Sequence, residues 1–185
     1  EETQTAEFVT AKLRDFGIED VKTRIGETGV VARLTLGTGK RQIALRADMD
    51  CLRIHETTDL PYASKTPGQM HACGHDTHVA MLMGAAEKLA EMKDELAGNV
   101  MFIFQPAEEG APEGEEGGAE LMLEEGLFAD NKPEKVFGIH VWAGFPTGHV
   151  GYRKGPLMAC SDQFEIKVKG KQTQGSTPWG GVEPI

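Results

Sequence analysis

Apolar residues recur along the chain with two different periods. Ala6, Val9, Leu13 and Phe16 are spaced three or four apart, so residues 3–16 predict an amphipathic surface helix that Gly17 stops. Residues 21–25, 30–36 and 43–47 are short β-rich runs separated by Gly26, Gly29, Gly37 and Gly39, which predict strands joined by tight turns. Helical spacing returns over residues 78–96, with Ala80, Met83, Ala86, Leu89 and Ala90 on one face and Glu87, Lys88, Glu91 and Lys93 mostly on the other. Residues 99–104 predict a buried strand, 118–125 a short helix and 135–140 another strand.

Strand, helix, strand, helix, strand is the order of an α/β layer with a largely parallel sheet, and ligands of such layers gather outside the carboxyl ends of the strands. The segment from Glu108 to Gly118 is rich in acid and turn formers, so it is solvated or lines a site; Glu113, Glu115 and Glu116 read as its solvated part. From Ser161 the pattern changes. Phe164, Ile166 and Val168 alternate with Glu165, Lys167 and Lys169, which predicts a half-exposed strand and a domain boundary near Cys160, dividing residues 1–160 from 161–185.

Charge and composition narrow the function. The 185 residues carry 19 Lys+Arg against 29 Asp+Glu, a net charge of -10, and no basic block, so nucleic acid is not an expected partner. At 39% apolar and 26% charged the chain has the composition of a globular protein. The run Val100-Met101-Phe102-Ile103-Phe104 is far short of the roughly 20 apolar residues that span a bilayer. Three cysteines, Cys51, Cys73 and Cys160, are too few and too scattered for a disulfide framework, which points to a reducing, cytoplasmic setting unless a removed signal peptide placed the protein in the periplasm. The last residues, Gly181-Val182-Glu183-Pro184-Ile185, read as a chain stopping partway through an element, and a fragment is expected.

The chemistry is concentrated at three predicted strand ends. His71-Ala72-Cys73-Gly74-His75-Asp76-Thr77-His78 packs three imidazoles, a thiol and a carboxylate into eight positions. Thiolate and imidazole both bind borderline transition metals, and Cys73 and His75, two apart on extended backbone, would point the same way. Equally, His71 and His78 can be surface or capping residues and Cys73 a buried thiol. The strand ending in Phe104 runs into Gln105-Pro106-Ala107-Glu108-Glu109. On extended backbone the two carboxylates would face opposite ways, one for a metal and one for a water. His140 interrupts the apolar run Val136 to Trp142. Asp50, at the end of a fourth strand, could orient a ligand imidazole, whereas Asp48 could cap a turn or pair with Arg46 or Arg53.

Arg46-Ala47-Asp48-Met49-Asp50, the run Met70 to His78, Phe104-Gln105-Pro106-Ala107-Glu108-Glu109-Gly110 and Gly138-Ile139-His140 together resemble the signatures of the M20 metallopeptidases. The likeness is to their amidohydrolase branch of aminoacylases, hippurate hydrolases and auxin-amino-acid hydrolases. It implies a zinc-peptidase-like α/β catalytic domain with a mostly parallel sheet flanked by helices, followed by the start of a ferredoxin-like α+β lid that mediates a homodimer. It also implies two divalent transition-metal ions, zinc or manganese foremost and cobalt or nickel admissible, bridged by Cys73 and coordinated by His75, Glu109 and His140. Glu108 would be the general base, and the substrate a small N-acyl amino acid or dipeptide-like amide. One departure is Gln174, which stands where the family carries a histidine that polarises the substrate carbonyl. The family's last metal-binding histidine would follow Ile185.

Three other readings stay open at this point. The chain could be a catalytically incomplete metal-binding fragment or degenerate homologue. It could hold a structural zinc on Cys73, His75, His140 and one further ligand. It could use Cys73, flanked by His71 and His75, as a nucleophile. A serine hydrolase is disfavoured, because the sequence contains no Gly-x-Ser-x-Gly.

Overall fold

A computed structural model describes residues 2–111, 114–130, 132–160 and 164–184. Glu113 and Ser161 therefore lie outside the described residues. By contact density the chain separates into two compact units, Glu1–Ala143 and Gly144–Ile185.

The first unit is a five-stranded mixed sheet with helices on both faces. Its elements are α1 (Thr3–Asp15), β1 (Asp20–Ile25), β2 (Gly29–Leu36), β3 (Gln42–Asp48), α2 (His75–Glu91), β4 (Gly98–Gln105), α3 (Gly118–Glu124) and β5 (Lys135–Gly138). The strand order is β1-β2-β4-β3-β5. β4, β3 and β5 run parallel, as the helical crossovers require, but β1 and β2 are antiparallel to their neighbours, so half of the four pairings depart from the parallel expectation. The cause is connection length: three residues between β1 and β2 make a hairpin, and five between β2 and β3 reverse the chain again, so β2 opposes the shared direction of β3 and β4, whereas parallel pairing needs a crossover of a dozen residues or more.

β4 is the centre of the molecule. Val100, Phe102 and Phe104 face a core built with Val9 and Leu13 of α1, Ala32 and Leu34 of β2, and Val79, Leu82 and Ala86 of α2. Met101 and Ile103 point to the opposite face and pack with Val31, Ala44 and Met122 of α3. A strand covered on both faces must be apolar at consecutive positions, and this explains the unbroken run at residues 100–104.

The helix boundaries differ from the periodicity. α2 begins at His75, three residues before the predicted start at residue 78, because Gly74 takes a left-handed conformation (φ 90°) that turns the chain directly into His75. It ends at Glu91, after which Met92 to Glu95 form turns that bring the partly buried Leu96 onto the core.

Register carries the functional consequence. Asp48 pairs with Gln105 and Arg46 with Gly138, so β3, β4 and β5 end along one edge. α2 also starts there. Residues far apart in sequence, beginning at Asp48 and ending at His140, are thereby delivered to one place.

In the second unit, Lys171 and Val182 form an isolated antiparallel bridge beside a short 3-10 helix, Pro178–Gly180. Phe164, Ile166 and Val168 are exposed and unpaired, so the predicted strand is not formed among the described residues. Alternation marks a segment able to be a strand, but the ladder bonds come from a neighbour, and these residues have none. Glu115 and Glu116 are solvated, as expected. Among the described residues, no helix is long and apolar enough to cross a membrane.

Truncating the fully buried Phe102 to alanine is expected to lower unfolding free energy by about 3–5 kcal/mol, while Ile43→Ala, at a position 37% exposed, costs under about 1.5. Urea unfolding followed by circular dichroism checks the difference, and equal effects would contradict the assignment of β4 as the core strand.

Candidate metal centre

His75 is the first residue of α2 and is 1% exposed. Its Nδ1 lies 3.0 Å from Asp50 Oδ1, but its buried Nε2 has no hydrogen-bond partner among the described residues. A bare ring nitrogen in a protein interior forfeits the hydration it would have in water, about 1–3 kcal/mol. Potential metal-donor atoms surround it. Glu108 Oε2, Glu109 Oε1 and Asp48 Oδ2 each lie 3.8 Å away, and Cys73, His75 and His140 can bring sulfur and ring nitrogens within 4.8 Å of one another. His140 Nε2 is 3.3 Å from Cys73 Sγ.

The donors meet by turns rather than by extended backbone. Between Cys73 and His75 the left-handed Gly74 reverses the path, and a Cβ there would approach Val141 Cγ2 to 2.4 Å, so position 74 excludes side chains twice over. Ala107 also has positive φ (47°), and Glu108 and Glu109 follow in a turn. The two carboxylates therefore converge on His75 instead of facing opposite ways. Gly118 lets this turn sit close, since a Cβ at that position would come within 2.8 Å of the Ala107 carbonyl.

Asp50 holds two parts of the cluster at once. One carboxylate oxygen bonds His75 Nδ1, and the other accepts the Glu109 amide N–H at 2.8 Å. With Nδ1 engaged, Nε2 is the nitrogen left to face the donors, the arrangement that orients imidazole ligands in metal sites.

Asp48 and His78 form a second buried set: Asp48 makes the expected pair with Arg46, whereas His78 is buried rather than at the surface. Arg46 Nη1 donates to Asp48 Oδ2 at 2.7 Å, and Arg46 Nε and Nη2 both donate to Gln105 Oε1. His78 Nδ1 meets Asp48 Oδ1 at 2.6 Å, and His78 Nε2 accepts the Val141 N–H at 2.9 Å. Both ring nitrogens are thus engaged, so although Asp48, His75 and His78 lie close enough to hold an ion, His78 has no free lone pair to offer. His71 is exposed. Gln174 is an exposed residue of the second unit whose backbone carbonyl accepts the Thr177 N–H.

The electrostatics separate two chemistries for Cys73. Burial first, and then the carboxylate of Glu109 with the charges of Glu108 and Asp48, push its thiol up to about 11. A nucleophile and a metal ligand both need thiolate, which these surroundings disfavour, and of the two only the ligand brings with it a cation that offsets the nearby carboxylates. Sulfur, imidazole and carboxylate donors gathered around a buried, unpartnered Nε2 fit a divalent transition metal better than magnesium or calcium, which take oxygen.

Comparison with known proteins gives the lineage. Residues 44–180 match the peptidase family M20/M25/M40. The chain belongs to that family. The whole chain is 46% identical to thermostable carboxypeptidase 2 of Saccharolobus solfataricus and 40% identical to an N-acyl-L-amino acid amidohydrolase of Geobacillus stearothermophilus. It spans 46% and 48% of those two proteins, about half the length of the curated relatives it matches. Among solved structures, a dinuclear metal binding peptidase of the M20 family from Bacillus subtilis superposes with a TM-score of 0.77 at 41% identity, over 85% of this chain and 42% of that one. The first unit has the mixed α/β sheet with flanking helices of the M20 family; the motifs implied that α/β fold, with a more fully parallel sheet than is found.

The Asp48 set carries a pH signature. Burial alone would raise the Asp48 carboxyl, but the His78 hydrogen bond and the charge of Arg46 outweigh it and hold the group below the ordinary carboxylate range. A carboxyl depressed in the folded state contributes its full stability above its unfolded value, about 3.9, and loses it as pH falls through the folded value. Asp48→Asn is therefore expected to cost about 3 kcal/mol at pH 7, with the gap from wild type narrowing below about pH 4. Urea unfolding at pH 7 and pH 3 measures it, and a gap unchanged with pH would mean that packing, not charge, is what Asp48 supplies.

Proposed function

We propose that the chain carries the metal-binding part of an amidohydrolase that cleaves N-acyl amino acids or related small amides. In this reading Cys73, His75, Glu109 and His140 hold two divalent transition-metal ions and Glu108 is the general base. The observation that carries it is the buried His75 Nε2, unpartnered and surrounded by sulfur, nitrogen and carboxylate donors. The dinuclear centre named for the Bacillus subtilis structure and the N-acyl-L-amino acid activity named for the Geobacillus relative support the same reading.

When bound, such cations lower the pKa of a water towards neutrality and polarise the substrate carbonyl. The rest is the work of this chain's residues. Asp50 keeps His75 Nε2 turned into the site and, through the Glu109 amide, sets the turn that carries both glutamates. Glu108 is 40% exposed, the most open carboxylate of the cluster, so it can take a proton from water and return it to the leaving amine. A closed structural zinc would give Glu108 no task, and the raised Cys73 thiol argues against a cysteine nucleophile.

The same proposal extends to the second unit. Gln174 would donate a hydrogen bond to the substrate carbonyl, where the family uses histidine, and the alternating residues from Phe164 would open a lid that mediates a homodimer.

Two variants separate binding from chemistry. Metal content measured by elemental mass spectrometry after dialysis is expected to be close to two ions per chain in the wild type and to fall in Cys73→Ala. Glu108→Gln is expected to keep its metal while kcat for N-acetyl and N-benzoyl amino acids drops about 10²–10⁴-fold. A wild-type protein that binds no metal would sink the proposal, and so would a Glu108→Gln variant of unchanged rate.

A further inference from the structure

β5 ends at Gly138, so His140 lies on a segment that has already left the sheet. Among the described residues no ladder bond fixes that segment, yet His140 Nε2 sits 3.3 Å from Cys73 Sγ. Something else must set its backbone. The bonds around Val141 show what does. The Val141 N–H is held by His78 Nε2, and the Val141 carbonyl lies 2.6 Å from His140 Nδ1. The imidazoles of His78 and His140 also pack edge to face, with centroids 4.7 Å apart at 65°.

His78 is itself anchored. Because Nε2 accepts the Val141 N–H, the ring's proton is on Nδ1 and points to Asp48, whose other oxygen is fixed by Arg46. Arg46 is in turn braced on Gln105 of β4. A continuous hydrogen-bonded strut thus runs from β4 through β3 and α2 to the residue after His140. The role calls for one side chain that donates to a carboxylate and accepts from a backbone amide at the same time. Neutral imidazole does both. A ring serving only to satisfy the buried Asp48 would not need its second nitrogen aimed at a backbone amide.

We propose that His78 is a positioning residue for His140: by holding the Val141 amide it fixes the backbone that presents the His140 ring to Cys73. The inference rests on the reading of His140 as a metal ligand. It assigns His78 a task apart from coordination, although His78 lies in the same motif as Cys73 and His75.

Cobalt(II) titration of the purified protein, followed by its absorption, tests this without relying on turnover. His78→Leu keeps the bulk and removes both hydrogen bonds, and should raise the Kd about 10–100-fold, the range typical when a partner that orients a ligand is lost. In a His140→Ala background the same change should alter the Kd less than about twofold, since the ligand being positioned is gone. His78→Gln, whose amide can still accept the Val141 N–H, should restore the Kd to within about threefold of wild type.

Equal effects in both backgrounds, or a Kd unmoved by His78→Leu while unfolding becomes easier, would overturn the proposal and leave His78 a core residue. Should His78→Leu not fold, His78→Gln decides the matter through hydrogen exchange of the Val141 amide. A Kd that follows that protection supports the proposal, and one independent of it overturns it. A wild type that binds no cobalt would overturn the ligand reading and this inference with it. A wild type that binds cobalt with no His78–His140 coupling would overturn this inference alone.

Discussion

A buried imidazole with one nitrogen bonded and the other bare is the constraint around which the first unit is arranged. His75 sits where β3, β4 and β5 end and α2 begins, so its environment is set by the sheet and not by its own segment. Leaving Nε2 without a partner is unfavourable by itself, and folds satisfy nearly all such atoms. Its persistence beside a thiol, a second imidazole and two glutamates makes sense where the missing partner is a cation. Asp50, the left-handed Gly74 and the turn at Ala107 all act to keep that nitrogen aimed at the donors.

The neighbouring Asp48, Arg46, Gln105 and His78 set shows how the same edge tolerates so much polarity. Taking a carboxylate and a guanidinium out of water is costly unless nearly every lone pair and proton finds a partner. Here Arg46 reaches both Gln105 and Asp48, and Asp48 divides its oxygens between Arg46 and His78. One cluster is saturated and the other is left open. The contrast separates a bracing network from a binding site more clearly than residue type does, because both contain aspartate and histidine.

Much of this was legible in the amino-acid order. Apolar runs marked the buried strand at residues 100–104, and the motif residues Cys73, His75, Glu108, Glu109 and His140 do converge. What escaped was whatever depends on partners distant in the chain. The start of α2 was missed because a left-handed glycine leaves no trace in hydrophobic periodicity. Asp48 and His78 were undervalued because their bond spans thirty positions. A signal existed: Asp48 and Asp50, two apart at a strand end, face the same side, so what lies within reach of one lies within reach of the other. Residues 164–170 show the converse, a strand pattern without a strand, since alternation cannot supply the neighbour.

Among the described strands, β5 is held by the fewest ladder pairings. It is a four-residue strand at the sheet margin, bonded to β3 alone, with every side chain exposed, whereas the segments bearing Cys73, His75 and Glu109 attach to α2 and the central β4. Margins of this kind open locally long before a core does. His140 follows β5 in the chain but is tied to α2 through the Val141–His78 bond, so fraying of β5 would leave that one bond to keep the donor in place. The rate at which a bound ion escapes would then depend on the lifetime of a single side-chain bond, and a protein that is slow to unfold could still exchange its metal quickly.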